Sequence, residues 1–196
     1  MSTNNSMLST LRPAVMLFVG LTVVVGIAYP LAMTGVAKVA FNDQAEGSLI
    51  VKEGKVVGSS LIGQSFSSPQ FFWGRPSATG PMANNAVNSS GSNLGPTNAA
   101  QLDNVKARVE ALKAADPSNT AAIPVELVTA SASGLDPEIS LAAAYYQVPR
   151  IARERKMTET QVRALVDQFA QKPVMGLFGE PRVNVLQLNL ALPQAK

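Results

Sequence analysis

The chain has 196 residues, is 46% hydrophobic and carries a formal net charge of +3, with no cysteine and no histidine. Its Lys and Arg are scattered rather than gathered into the basic stripe that nucleic acid requires, which argues against a nucleic-acid partner. The two absences exclude disulfides, Cys/His zinc sites, cysteine nucleophiles and triads with a histidine base. An enzyme here would have to work with carboxylates, Lys, Tyr or Ser.

Residues 1–12 form a short polar arm. Residues 13–37, PAVMLFVGLTVVVGIAYPLAMTGVA, then hold no charge and lie between Arg12 and Lys38. A membrane-spanning helix needs about 20 apolar residues, and in lipid such a run must be helical to satisfy its own amides. Pro30 is expected to end or kink that helix, while Gly20, Gly26 and Gly35 thin one side of it. The rival reading is a cleaved signal peptide, with TGVA as its small-residue end. A signal's apolar core is about 7–15 residues, shorter than this run, so a retained anchor is expected. Arg12 and the amino terminus face no nearby acid, whereas Lys38 is followed by Asp43 and Glu46. That bias puts the N-terminus in the cytoplasm and the remaining chain outside, in a single-pass inner-membrane protein.

Residues 38–196 are expected to form one soluble α/β (α+β) domain. Lys52-Glu53-Gly54 reads as a hairpin turn between short apolar runs at 48–51 and 55–57, and residues 59–66 could continue the sheet. Phe71, Phe72 and Trp73 stand in a row before Gly74 and Arg75; they read as core plugs beside a turn, or as a surface for a partner or bilayer. Residues 79–98, TGPMANNAVNSSGSNLGPTN, have the composition of a mobile loop and lack the GxxxxGK[ST] phosphate cradle.

Thr97 or Asn98 can cap a helix with Leu102, Val105, Val109 and Leu112 on its apolar face, ended by Asp116-Pro117. PVELVTASASG at 124–134 starts like a strand, and its small residues permit close backbone contact. Asp136-Pro137 is expected to open a helix over 138–148, interrupted by Pro149 and resumed at Arg150. Thr158 and Gln161 form a capping box for a helix with Val162, Leu165, Val166 and Phe169 inward. Residues 173–179 are turn-rich, and 183–192 are apolar without deciding between helix and strand.

Three groups of residues invite a chemical reading. Asp136 and Glu138 could pair as acid and base, although acids also suit a helix start. Arg150, Arg153, Arg155 and Lys156 could meet phosphate or anionic lipid, or form a solvated helix face. TASASG offers hydroxyls without a base to activate them.

The blocks GSLI at 47–50, GSSLIGQSF at 58–66, FFWGRPSA at 71–78, SGSNLGPTN at 90–98, PVELVTASASGLDPEIS at 124–140, YQVPRIARER at 146–155 and GEPRVNVLQLNLAL at 179–192 occur in that order, after LRPA at 11–14. Together they closely resemble the C subunit of the bacterial potassium-transporting Kdp P-type ATPase. The resemblance implies a non-catalytic accessory subunit of an ATP-driven potassium importer. Its implied partners are a channel-like potassium-binding subunit, a P-type ATPase subunit and a small single-span subunit. The implied role is assembly of the complex and a raised ATP affinity of the ATPase subunit, with a periplasmic gate or filter for potassium as the alternative. No metal or cofactor of its own is implied, only ATP through the partner. The family's nucleotide-associated glutamine matches Gln147, and Trp73, Arg75, Asn93, Asn98 and Arg150 are candidates for partner contact. Trp73 and Glu138 depart from the family pattern, which often has histidine there.

Overall fold

The computed structural model describes residues 4–193, so the first three residues of the expected N-terminal arm lie outside it. The chain divides into two compact units, one through Leu49 and one from Ile50. The first is dominated by a continuous helix made of α1 (Asn4–Val23), a π-helical turn (Val24–Ala28) and α2 (Tyr29–Ala40). Its stretch Ser9–Ala40 is long and apolar enough to cross a membrane, and none of that stretch is buried within the protein. The helix begins within the arm and passes Pro30 instead of ending there. The π-helical turn directly ahead of the proline accounts for this. The Tyr29 N–H bonds the Val24 carbonyl five residues back, and the widened turn relieves the usual clash of the ring with the preceding carbonyl. Phe41 breaks the helix at φ −139° and leads into the single turn α3 (Asn42–Ala45). Lys38 reaches Glu46 at 3.7 Å in an exposed ion pair, of a kind that adds little stability.

The second unit opens on the expected hairpin. Strands β1 (Leu49–Lys52) and β2 (Lys55–Ser59) pair across Glu53 and Gly54, both at positive φ (52° and 74°), as a type I′ turn requires. The sheet does not continue over residues 59–66. There the Gly63 N–H bonds the Leu135 carbonyl at 2.8 Å, and an added Cβ would lie 2.6 Å from the Asp136 carbonyl oxygen. This is a close crossing of two loops and not a ladder.

Helix α4 (Ala99–Ala115) is capped by Asn98, whose Oδ1 accepts from the Ala100 N–H, and ends at Asp116. Leu112 is buried and Val105 and Val109 pack partly against the core. Residues 124–134 hold a 3-10 turn at Val125–Leu127 where a strand was expected. The next two expectations are also corrected. Residues 138–140 are strand β3 (Glu138–Ser140), not helix, and α5 (Leu141–Arg155) starts one turn later with Ser140 as its cap. The reason is burial. Ile139 sits opposite Val183 of β4 (Arg182–Asn184) in an antiparallel pair, and both are shielded from water. Pro149 does not interrupt α5. It removes one backbone hydrogen bond, and burial of Val148, Ile151 and Ala152 around it holds the helix together.

Lys156, left-handed at φ 54°, closes α5. Helix α6 (Glu159–Phe169) follows, with the complete Thr158–Gln161 capping box and Val162 and Val166 buried. The undecided run 183–192 is both things in turn. It completes β4 and then becomes α7 (Val185–Ala191), capped by Asn184. The core of this unit joins Phe72, Ile139, Val148, Ile151, Val162, Val166, Val183 and Leu188, all with essentially no exposure, from α5, α6, α7, the β3–β4 pair and the 71–73 segment.

The loop 79–98 is held by its own side chains. The Thr79 hydroxyl donates to the Met82 carbonyl and accepts from the Asn85 N–H, and the Asn85 and Asn88 amides both donate to the Gly80 carbonyl. The small residues of TASASG do permit close contact. Ser77 donates to the Gly134 carbonyl, and a Cβ on Gly134 would sit 2.7 Å from the Ser90 carbonyl oxygen.

Leu188→Ala should destabilise the second unit by about 2–5 kcal/mol, because it leaves a cavity in a closed core. Thr158→Ala should cost about 1 kcal/mol through the lost cap. Leu102→Ala, on a half-exposed side chain, should change little. Unfolding of the full chain in detergent measures all three.

Candidate functional site

The segment 69–73, a turn that runs on into irregular chain, is the point on which the described side chains converge. It has no strand beside it, yet its backbone is paired. The Asn189 carboxamide of α7 accepts from the Phe72 N–H at 2.8 Å and donates to the Phe72 carbonyl at 2.9 Å. The Gln147 carboxamide of α5 does the same to the next residue, accepting from the Trp73 N–H at 2.8 Å and donating to its carbonyl at 3.0 Å. Each amide thus imitates the edge of a strand, and consecutive residues are gripped by two different helices.

Gln147 has no hydrogen-bonding capacity left over. Its second amide proton goes to the Ala143 carbonyl at 3.2 Å, and its oxygen accepts a second bond from Arg150 at 2.6 Å. A carboxamide has two donors and two acceptor lone pairs, and all four are used in a side chain only 1% exposed.

Arg150 is equally enclosed, at 2% exposure. Its guanidinium donates to the Pro69 and Phe71 carbonyls as well as to Gln147, and lies 4.5 Å from the Trp73 ring centroid. Burial pulls its pKa down to about 10, with the charges of Asp116 and Glu154 acting the other way, so it remains a cation at neutral pH. Arg155, one turn on, donates to the Gln70 and Pro193 carbonyls and lies 4.9 Å from the Phe71 ring centroid.

The basic run on α5 is divided, with Arg150 enclosed and Arg155 half-buried while Arg153 and Lys156 stay exposed as a solvated face would be. Arg150 and Arg155 hold the carbonyls of residues 69–71, and Arg153 pairs with Asp116 at 2.9 Å. Asp116 and Asn189 are the contributions that sequence reasoning missed. Asp116 looked only like a helix end and is 3% exposed. The available signal for Asn189 was an amide inside the apolar run VNVLQLNLAL.

The structure brings Gln147, Trp73 and Arg150 together. Arg75 is close by in sequence but faces another way, donating to Asp136 at 3.0 Å and to the Ala130 carbonyl. Asp136 also accepts from the Glu138 N–H, and Glu138 pairs with Arg182 at 2.6 Å. The two carboxylates thus serve separate arginines and not each other. Asn98 caps α4, and Asn93 stands exposed at positive φ in the preceding loop. A cavity of about 210 Å³ adjoins the clamped segment, lined by Phe66, Trp73, Arg75, Ser77, Arg108 and Leu112 among others. Arg108 donates to the Val128 carbonyl at its margin, and burial lowers its pKa.

Gln147→Ala should destabilise the second unit by about 2–4 kcal/mol, since it leaves the Trp73 amide and carbonyl and one Arg150 donor buried and unmet. Gln147→Glu should not restore stability, because a carboxylate cannot donate to the Trp73 and Ala143 carbonyls. Unfolding of the full-length variants in detergent measures both.

Comparison with known proteins bears on the whole chain. A family model described as K+-transporting ATPase, c chain, KdpC, matches residues 11–194. A potassium-transporting ATPase KdpC subunit from Janthinobacterium sp. (strain Marseille) is 66% identical over 188 residues, covering 96% of this chain and 100% of the relative. Proteins of the same name from Herminiimonas arsenicoxydans and Dechloromonas aromatica are each 64% identical, over 96% and 95% of this chain and 99% and 97% of their own. The chain, with its long apolar N-terminal helix and its clamped helical domain, belongs to the KdpC family of K+-transporting ATPase subunits.

Proposed function

We propose that the chain works as a membrane-anchored accessory subunit of a potassium-importing ATPase, raising its partner's ATP affinity without touching the nucleotide. Membership of the KdpC family supports the place in the complex, and the helix Ser9–Ala40 supports the anchor. The bias of basic residues supports a cytoplasmic N-terminus and a periplasmic domain. The observation that carries the indirect route is the state of Gln147, the residue matched to the family's nucleotide-associated glutamine. It is buried, and each of its donors and lone pairs is committed within the fold.

In this reading Gln147 shapes the surface offered to the partners and does not meet adenine. A domain that fits one conformer of its partners better than another shifts affinity at a distant site by linkage. A tenfold gain in ATP affinity needs only about 1.4 kcal/mol of such coupling. The channel-like, ATPase and small single-span subunits are the partners in this reading. The alternative of a potassium gate draws less support from the loop 79–98, where Thr79, Asn85 and Asn88 are spent on the loop's own backbone and Asn98 on capping α4.

Titration of the detergent-solubilised full chain with ATP should give no signal, and a stoichiometric signal lost in Gln147→Ala would overturn the indirect route. Because the chain has no cysteine, Lys106→Cys on the exposed face of α4 also reports the side of the membrane. A membrane-impermeant thiol reagent should label it in intact cells; protection until the cells are opened would reverse the topology.

A further inference from the structure

The apolar turn at residues 173–179, PVMGLFG, sits in the second unit but outside its core. Val174, Met175, Leu177 and Phe178 are 64%, 86%, 82% and 66% exposed. Nothing in the local geometry calls for this choice of residues. Met175 and Gly176 are both left-handed, at φ 55° and 73°, and the Leu177 N–H bonds the Val174 carbonyl at 3.2 Å. A turn of this type favours Asn, Asp or Gly at its first central position, yet the sequence places an exposed methionine there. Breaches of local preference of this kind mark sites kept for function.

We infer that this turn dips into the bilayer surface, where Met175, Leu177 and Phe178 insert among the lipid headgroups and upper acyl chains. Three observations favour lipid as the occupant. First, the N–H groups of Val174, Gly176, Leu177 and Phe178 all bond within the turn. Val174 and Phe178 exchange N–H···O=C bonds in both directions, at 2.8 and 3.0 Å, and the Gly176 N–H bonds the Pro173 carbonyl. Entry into a medium poor in hydrogen-bonding partners demands this. Second, residues 173–179 carry no charged or polar side chain, while Lys172 and Glu180 flank them with opposite charges. Insertion therefore rests on apolar area and not on attraction to anionic lipid. Third, the bilayer is a tethered neighbour. The inference rests on the anchor reading above, and only residues 41–49, which include the turn α3, separate the spanning helix from the second unit. That short connection keeps the membrane at high effective concentration beside the second unit.

Leu177→Cys and, as a control, Lys106→Cys, each labelled with an environment-sensitive fluorophore in the full chain, test this in phosphatidylcholine vesicles with and without doxyl-labelled lipid. An alkaline wash of the vesicles comes first; release of the chain would overturn the anchor reading and this inference with it. With the chain retained, the label at 177 should emit to the blue of the label at 106 and lose intensity to shallow doxyl groups. A water-like, unquenched emission at 177 would overturn the inference while leaving the anchor intact. The same labels in the assembled complex distinguish a protein occupant, because a blue, unquenched emission there would assign the turn to a partner subunit and overturn the lipid reading.

Discussion

The second unit depends on how one short segment is held. Residues 69–73 run along the core and place Phe72 in it with no neighbouring strand, and any of their N–H and C=O groups shut from water without a partner would cost about 1–3 kcal/mol. Gln147 and Asn189 meet that demand at consecutive residues. Arg150 collects the carbonyls of Pro69 and Phe71. With the backbone paired, Phe72 can enter the core with no exposure, and α5 and α7 are fixed relative to each other because both hold the same segment.

Other features follow from that clamp. Gln147 and Arg150 lie three residues apart on α5, one turn of helix, so continuity of the helix through Pro149 is what lets both reach the segment. A break at the proline would separate them. Arg150 tolerates burial because it keeps its hydrogen bonds, its contact with Gln147 and the face of Trp73. Asp116, almost fully buried, is met by Arg153 from the same helix. The basic stretch of α5 thus ties α4 and the 69–73 segment to one helix.

The same clamp bears on the proposed function. The residues that invite a ligand-binding interpretation in the sequence, Gln147 and Arg150 above all, are used to build the domain, which is the ground for the indirect route proposed above. The exposed 173–179 turn is the contrasting case, since its side chains are spared from the core and four of its N–H groups bond within the turn.

Much was legible before the fold was known. The apolar run in 13–37, the hairpin at Lys52-Glu53-Gly54, the Asn98 cap and the Thr158–Gln161 box are local features, set by residues a few positions apart whose chemistry does not depend on distant contacts. The family was equally legible from its ordered blocks. What only the tertiary structure decided are the places where burial overrode local preference. Ile139 and Val183 drew residues 138–140 into a strand despite a helix-opening Asp-Pro. Packing around Val148 and Ile151 carried α5 through Pro149, and one apolar run was divided between β4 and α7. The pairing of Gln147 and Asn189 with Phe72 and Trp73 joins residues 74 and 117 positions apart. No local pattern encodes such a contact, because an amide's partner is chosen by which unpaired backbone the folded core brings to it.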